Sequence, residues 1–237
     1  MFLRGAVLAG SFGSLLTLAA AAGLSGRLDR MHGAEGVARY PVPRREVIQA
    51  IATGFDNLLA DSFWLQFLQY NGEKLTEDLA TRRYEHLWEG LTLIIGLDPH
   101  FRDAYLFGSW VLGDAGDGKR AAELVASGAR RHPTDPRYPF QLGFIEFLYR
   151  KDLPAAIQAF QHCASLAARR REDHNLWLSA TRMAAGLSLR RNQRQTAIAI
   201  WRSLYQKSRE LGDDRMAQIA ERALERLGVN VMDIVKG

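Results

Sequence analysis

The string GDAGDGKR, Gly113 to Arg120, opens like a phosphate-binding loop: Gly113, four residues, Gly118, then Lys119. Such a loop cradles phosphate with backbone amides and holds magnesium through a Ser or Thr after the lysine, between a strand and a helix. Here Arg120 stands in the magnesium position, and the flanking periodicity is helical on both sides. A glycine-rich turn between two helices is therefore expected. Asp114 and Asp117 lack the alternate-residue ligands and closing Glu of a calcium loop. The histidines, at 32, 86, 100, 132, 162 and 174, form no H-E-x-x-H or comparable metal pair. Glu85 and Glu89 lie one helical turn apart beside His86, but a carboxylate-bridged metal pair needs further acids and a second histidine from facing helices. The single cysteine, Cys163, allows no internal disulfide and falls where a buried, inert thiol is expected. No nucleophile elbow occurs. The residues thus point to no catalytic group, no metal and no cofactor. The alternative is an enzyme or small-ligand binder whose pocket, lined by Asp61, Glu85, His86 and Glu89, lies between an aromatic hairpin and the helices that follow it.

Charge is the second chemical feature. The 237 residues carry a net charge of +5, with an isoelectric point near 9.5. Much of the excess lies in Arg169, Arg170, Arg171, Arg190, Arg191, Arg194 and Arg202, with Glu172 and Asp173 the only acids between 169 and 209. A run like this is either a solvated helical surface or a docking face for anionic lipid headgroups or an acidic protein patch. It lacks the interleaved aromatic platforms of single-strand binders, so nucleic acid is not an expected partner. No small-molecule substrate is expected either.

These side chains must be held by helices. Strand alternation is absent beyond Arg44, and the last amphipathic segment, GDDRMAQIAERALERLG, has Asp213 or Asp214 to start it and Gly228 to end it. The middle of the chain repeats at an interval of 35 residues: Gly108 falls on Gly143, Phe107 on Leu142, Ala121 on Ala156, Val125 on Phe160 and Gly128 on Cys163. A third copy, after about six extra residues around RRREDH, sets Met183, Ala184, Ala197, Trp201 and Leu204 in the same slots. Small residues at fixed places let helices approach, and bulky ones fill the groove beside them. This pattern resembles the tetratricopeptide repeat, with Asp98-Pro99 at a break between repeats. The resemblance spans about Pro99 to Leu211. It implies antiparallel helix pairs stacked into a solenoid whose concave face holds a peptide or protein segment, and it implies no catalysis.

The stretch GFDNLLADSFWLQFLQYNGE, residues 54–73, also resembles a helix near the N-terminus of membrane-anchored, tetratricopeptide-like bacterial and cyanobacterial proteins. The matching residues are Ala60, Asp61, Trp64, Leu65, Gln69, Tyr70 and Gly72. It is too short and polar to cross a bilayer, since Asp61 alone costs roughly 2.5–3.5 kcal/mol at the centre. A helix apolar on most of its circumference is expected to be buried, with RYEHLWEGLTLIIGL as hairpin partner and Asp61 capping or hydrogen-bonded inside. Alternatively Asp61, Trp64, Phe67 and Tyr70 form a partner-binding face.

Residues 5–24 contain no charge between Arg4 and Arg27, long enough as a helix to cross roughly 30 Å of hydrocarbon. Ala20 and Ala22 also fit a cleavage site, which would make the chain an exported soluble adaptor. The arginines after the span favour a cytoplasmic domain and the short leading region favours export, so sidedness stays open. The expected architecture is all-α: a single-pass anchor or signal over 1–26, a linker over 27–43, an aromatic hairpin over 44–98, tetratricopeptide-like repeats with a capping helix over 99–228, and a tail over 229–237. The expected function is a non-enzymatic scaffold or assembly subunit in a bacterial inner or thylakoid membrane, contacting other subunits of a membrane complex.

Overall fold

The structure, a computed structural model, describes residues 42–43, 48, 54–78 and 82–230. The expected membrane segment, nearly all of the linker, most of 44–53 and the tail from 231 lie outside the described residues. Among the described residues no helix is long and apolar enough to cross a membrane.

Nine α-helices occur among the described residues, with no strand: α1 Asp56–Leu75, α2 Leu87–Leu97, α3 Arg102–Asp114, α4 Gly118–Arg131, α5 Arg137–Leu148, α6 Leu153–Ala167, α7 His174–Arg190, α8 Arg194–Leu211 and α9 Asp214–Arg226. The chain divides into two compact units, residues 65–86 belonging to one and 43–64 with 87–237 to the other, so the 44–98 segment is shared between them.

In the larger unit each helix from α2 to α9 packs on the next, and the first helices of neighbouring pairs, α3 with α5 and α5 with α7, also touch. This is the stacking of antiparallel pairs that the 35-residue period implies. The small slots are closed contacts. Gly108, Gly143 and Ala184 are all buried, and a Cβ on Gly143 would stand 2.7 Å from the Phe160 ring. The second-helix slots follow suit: Ala121, Ala156, Ala197, Val125, Phe160 and Cys163 are fully buried, and Leu204 is nearly so. Gln141 ties α5 to α3 by donating to Ser109 Oγ at 3.1 Å and to the Leu106 carbonyl at 3.3 Å.

Capping obeys the same period. Asp117 accepts from the Arg120 amide and starts α4, and Asp152, 35 residues on, accepts from the Ala155 amide and starts α6, both at 3.0 Å. The third-copy equivalent, Gln193, makes no side-chain cap bond. GDAGDGKR is the α3–α4 turn, with Gly116 at φ +89° and Asp117 as the cap. The Arg120 amide at this turn is taken by Asp117.

In the smaller unit Tyr70 Oη accepts the Glu85 amide at 2.9 Å and its ring meets Tyr84 edge-on at 6.3 Å. Lys74 lies buried, paired with Glu77 at 2.8 Å. RYEHLWEGLTLIIGL was expected as the helical hairpin partner, but α2 begins only at Leu87 because His86 takes the left-handed conformation, φ +58°. The expectation of a wholly buried α1 is also corrected. Its apolar residues surround the axis, so the face that buries Ala60, Phe67, Asn71 and Lys74 leaves Leu58, Leu65 and Leu75 more than half exposed. Asp61 sits in mid-helix and exposed, so it neither caps nor lies within packing.

Gly143→Ala is expected to destabilise the chain by about 1–3 kcal/mol, because the added methyl must displace the Phe160 ring in a filled core. Urea unfolding monitored by circular dichroism checks this, with exposed Gly186, which has open space around it, as the Ala-substituted control.

Candidate functional site

A groove of about 720 Å³ runs over helices from the last two pairs and the capping helix. Its floor is apolar: Phe140 and Phe144 from α5, Met183 from α7, Trp201 from α8, and Ile219 with Ala223 from α9. The two phenylalanines meet edge-on at 5.1 Å and both rest against buried Phe160, at 5.7 and 5.2 Å. Rings packed in this way are fixed in orientation before anything docks.

Repeat spacing explains how the floor is made. Val125 and Phe160 fill the bulky second-helix slot in the first two pairs and are fully buried. Trp201 occupies that slot in the third, but it is only half-buried and lines the groove. Met183 and Leu142, in the slot before the small residue, are likewise half-buried. The slots thus supply both core and floor.

Three arginines edge the groove: Arg182 on α7, and Arg222 and Arg226 one turn apart on α9. All three are exposed, no acidic residue lines the groove, and none of the three forms an ion pair with a described residue. Glu221 and Glu225, on the same helix α9, do not line it. An apolar floor beside unpaired guanidiniums can seat side chains of both kinds at once.

The basic run expected as one surface is divided by the fold. Arg169 and Arg170 lie before α7 and Arg190 and Arg191 at its far end, about 25 Å apart for a 17-residue helix. Arg169 and Arg170 line a second cleft, of about 730 Å³, with Lys207, His174 and buried Trp177. Part of the charge there is already paired: Lys207 with Glu210 at 2.9 Å and Arg170 loosely with Asp173 at 3.9 Å, while His174 contacts Asp213 at 2.8 Å and Arg169 forms no ion pair with a described residue. Arg190 lies 5.5 Å over the Phe147 ring, Arg194 donates to the Leu227 carbonyl, and Arg202 is exposed on α8. The side chain of Arg171 lies outside the described residues.

Of the expected aromatic face, Trp64 meets Phe101 at 5.4 Å and Phe107 at 5.9 Å, which makes it a packing residue of the larger unit. Phe67 and Tyr70 are buried, so they are not presented for contact, and only Asp61 is exposed. Of the alternative pocket lining, Asp61, Glu85, His86 and Glu89 are each exposed. Among the described residues no group of three or more His, Cys, Asp or Glu is placed to hold a metal ion. Cys163 is fully buried, and desolvation pushes its thiol up to about 12, so it stays protonated at neutral pH. Sequence reasoning did not single out Arg222 and Arg226; their one-turn spacing beside Ile219 and Ala223 was the available signal.

Comparison with known proteins gives little beyond this. No family model matches the chain and no curated protein matches it. Among solved structures it is similar to PcrH in complex with the chaperone binding region of PopD, with a TM-score of 0.41 and 18% identity over 62% of this chain and 93% of that one.

One carboxylate at the end of the repeats carries a pH dependence. Asp213 caps α9 by accepting the Met216 amide at 3.0 Å and also accepts from or pairs with His174. The Met216 amide and then His174 hold its carboxyl below the ordinary value of 3.8. Its stabilisation is therefore fully present above that value and is lost as pH falls through the lower folded value. Asp213→Ala is expected to cost about 1 kcal/mol at neutral pH. In urea titrations the gap from the parent chain should close as pH drops below the carboxylate range, and a gap independent of pH would refute the role.

Proposed function

We propose that the chain is a non-enzymatic scaffold or assembly subunit that grips a segment of a partner protein in the groove over α5, α7 and α9, while its N-terminal segment anchors it to a membrane. The single observation that carries the gripping role is a preformed apolar floor, with Phe140 and Phe144 locked against Phe160, left open beside exposed arginines. Aromatic residues fixed in a concave surface are what interface anchors require, because little entropy is lost when a partner covers them. The repeat resemblance favours the same use of this face. The membrane role draws its support from the uncharged stretch over 5–24. The bacterial inner or thylakoid membrane belongs to this reading, as do neighbouring subunits of a membrane complex.

A photo-crosslinking amino acid at Met183 in the full chain, expressed in its native membrane, tests the grip. One discrete protein adduct is expected, absent when the probe sits at exposed Ser165 on α6 and lost when Phe144→Asp is added. An adduct that ignores Phe144→Asp would overturn the assignment of the groove. The anchor is checked separately by alkaline carbonate extraction: the full chain should stay in the membrane pellet, and a chain lacking residues 1–26 should be released.

A further inference from the structure

Resting on that reading of the groove, we infer that its occupant is an acidic amphipathic segment. Apolar side chains would lie on Phe144, Met183 and Trp201, and carboxylates would meet Arg182, Arg222 and Arg226. The charge argument is local. Exposed arginines are common on this chain; some are engaged, Arg137 by Asp135 at 2.6 Å, Arg150 by Glu146 at 2.7 Å and Arg209 by Asp214 at 3.1 Å, and what sets the groove apart is three of them gathered on one apolar surface. The groove gathers three that form no ion pair with a described residue, around a lining with no acid. The second cleft offers a contrast, because its lining includes an acid, Asp213, and its Arg170 and Lys207 already pair with Asp173 and Glu210. A basic segment would be repelled by the three guanidiniums, and a neutral one would leave them without counter-charge beside a surface it has dried. An acidic one supplies that counter-charge and gains charge-assisted, fork-like hydrogen bonds.

The apolar floor argues for protein over a polyanion. Free phosphate or a nucleic-acid backbone would satisfy the arginines and leave Met183, Ile219 and Ala223 uncovered, whereas an amphipathic segment covers both. Spacing narrows the occupant further. Arg222 and Arg226 are one helical turn apart, about 5–6 Å between Cβ atoms. Carboxylates at i and i+4 of a docked helix, or at i and i+2 of an extended strand, match that interval. Arg182, on α7 rather than α9, takes a further acid of the same segment.

The test uses the full chain in detergent with three fluorescent peptides that share one leucine stripe and carry Glu, Gln or Lys at paired i, i+4 polar positions. The Glu peptide should bind about 10–100-fold tighter than the Gln peptide, as three partly exposed pairs would give. It should weaken as salt rises, while the Lys peptide should be weakest. R182E/R222E/R226E, at exposed positions that leave the core intact, should reverse the order of the Glu and Lys peptides. Equal binding of the Glu and Gln peptides, unchanged by the triple variant, would overturn the acidic chemistry and leave the groove standing. Failure of all three peptides, or binding that survives Phe144→Asp, would overturn the groove reading itself. Arginine-dependent displacement of the Glu peptide by an RNA oligomer or by phosphatidylglycerol vesicles, at lower concentration than by unlabelled peptide, would assign the arginines to those ligands instead.

Discussion

Close approach of α-helices at three small residues, Gly108, Gly143 and Ala184, is the contact on which the rest of the repeat region depends. At Gly143 the missing side chain admits the Phe160 ring of the following helix, and Phe160 in turn braces Phe140 and Phe144. One absent methyl therefore sets both the spacing of a helix pair and the orientation of the groove floor. Interiors packed to crystal density transmit such a constraint without loss, because no void is available to absorb it.

The third pair departs from the first two, and the groove lies where it does. About six extra residues precede it, accommodated by a short 3-10 turn at Arg171–Asp173. After that turn the slot that buries Val125 and Phe160 holds Trp201 at the groove, half-covered. The cap that Asp117 and Asp152 supply becomes Gln193, which makes no cap bond. Repetition stabilises the stack, and the interruption of repetition leaves an apolar surface unfilled. An uncovered floor of this kind is worth little to folding and much to binding, since its burial is deferred until a partner arrives.

Charge follows the same division between local and assembled. Arg169 to Arg202 is a dense basic run in sequence, yet α7 separates its two ends, and near α6 Arg170 pairs loosely with Asp173. The unpaired cations that share a surface come from α7 and α9, distant in sequence and joined by packing. The exposure of Leu58, Leu65 and Leu75 on α1 is a comparable case, since composition indicated an apolar helix but not which of its sides would be covered.

The amino-acid order alone determined what depends on near neighbours along the chain. That includes the 35-residue period, the small and bulky slots, the Asp117 turn that is not a phosphate loop, and the buried state of Cys163. Each of these is decided within one helix pair or between adjacent pairs, where backbone geometry and side-chain volume leave few options. The start of α2 at Leu87 escaped it, because a single left-handed residue, His86, outweighs a continuous apolar pattern. Only the tertiary structure decided which residues share the groove. Phe144, Met183, Trp201 and the three arginines meet through the angles between stacked helices, and those angles are the sum of many side-chain contacts that no single stretch encodes.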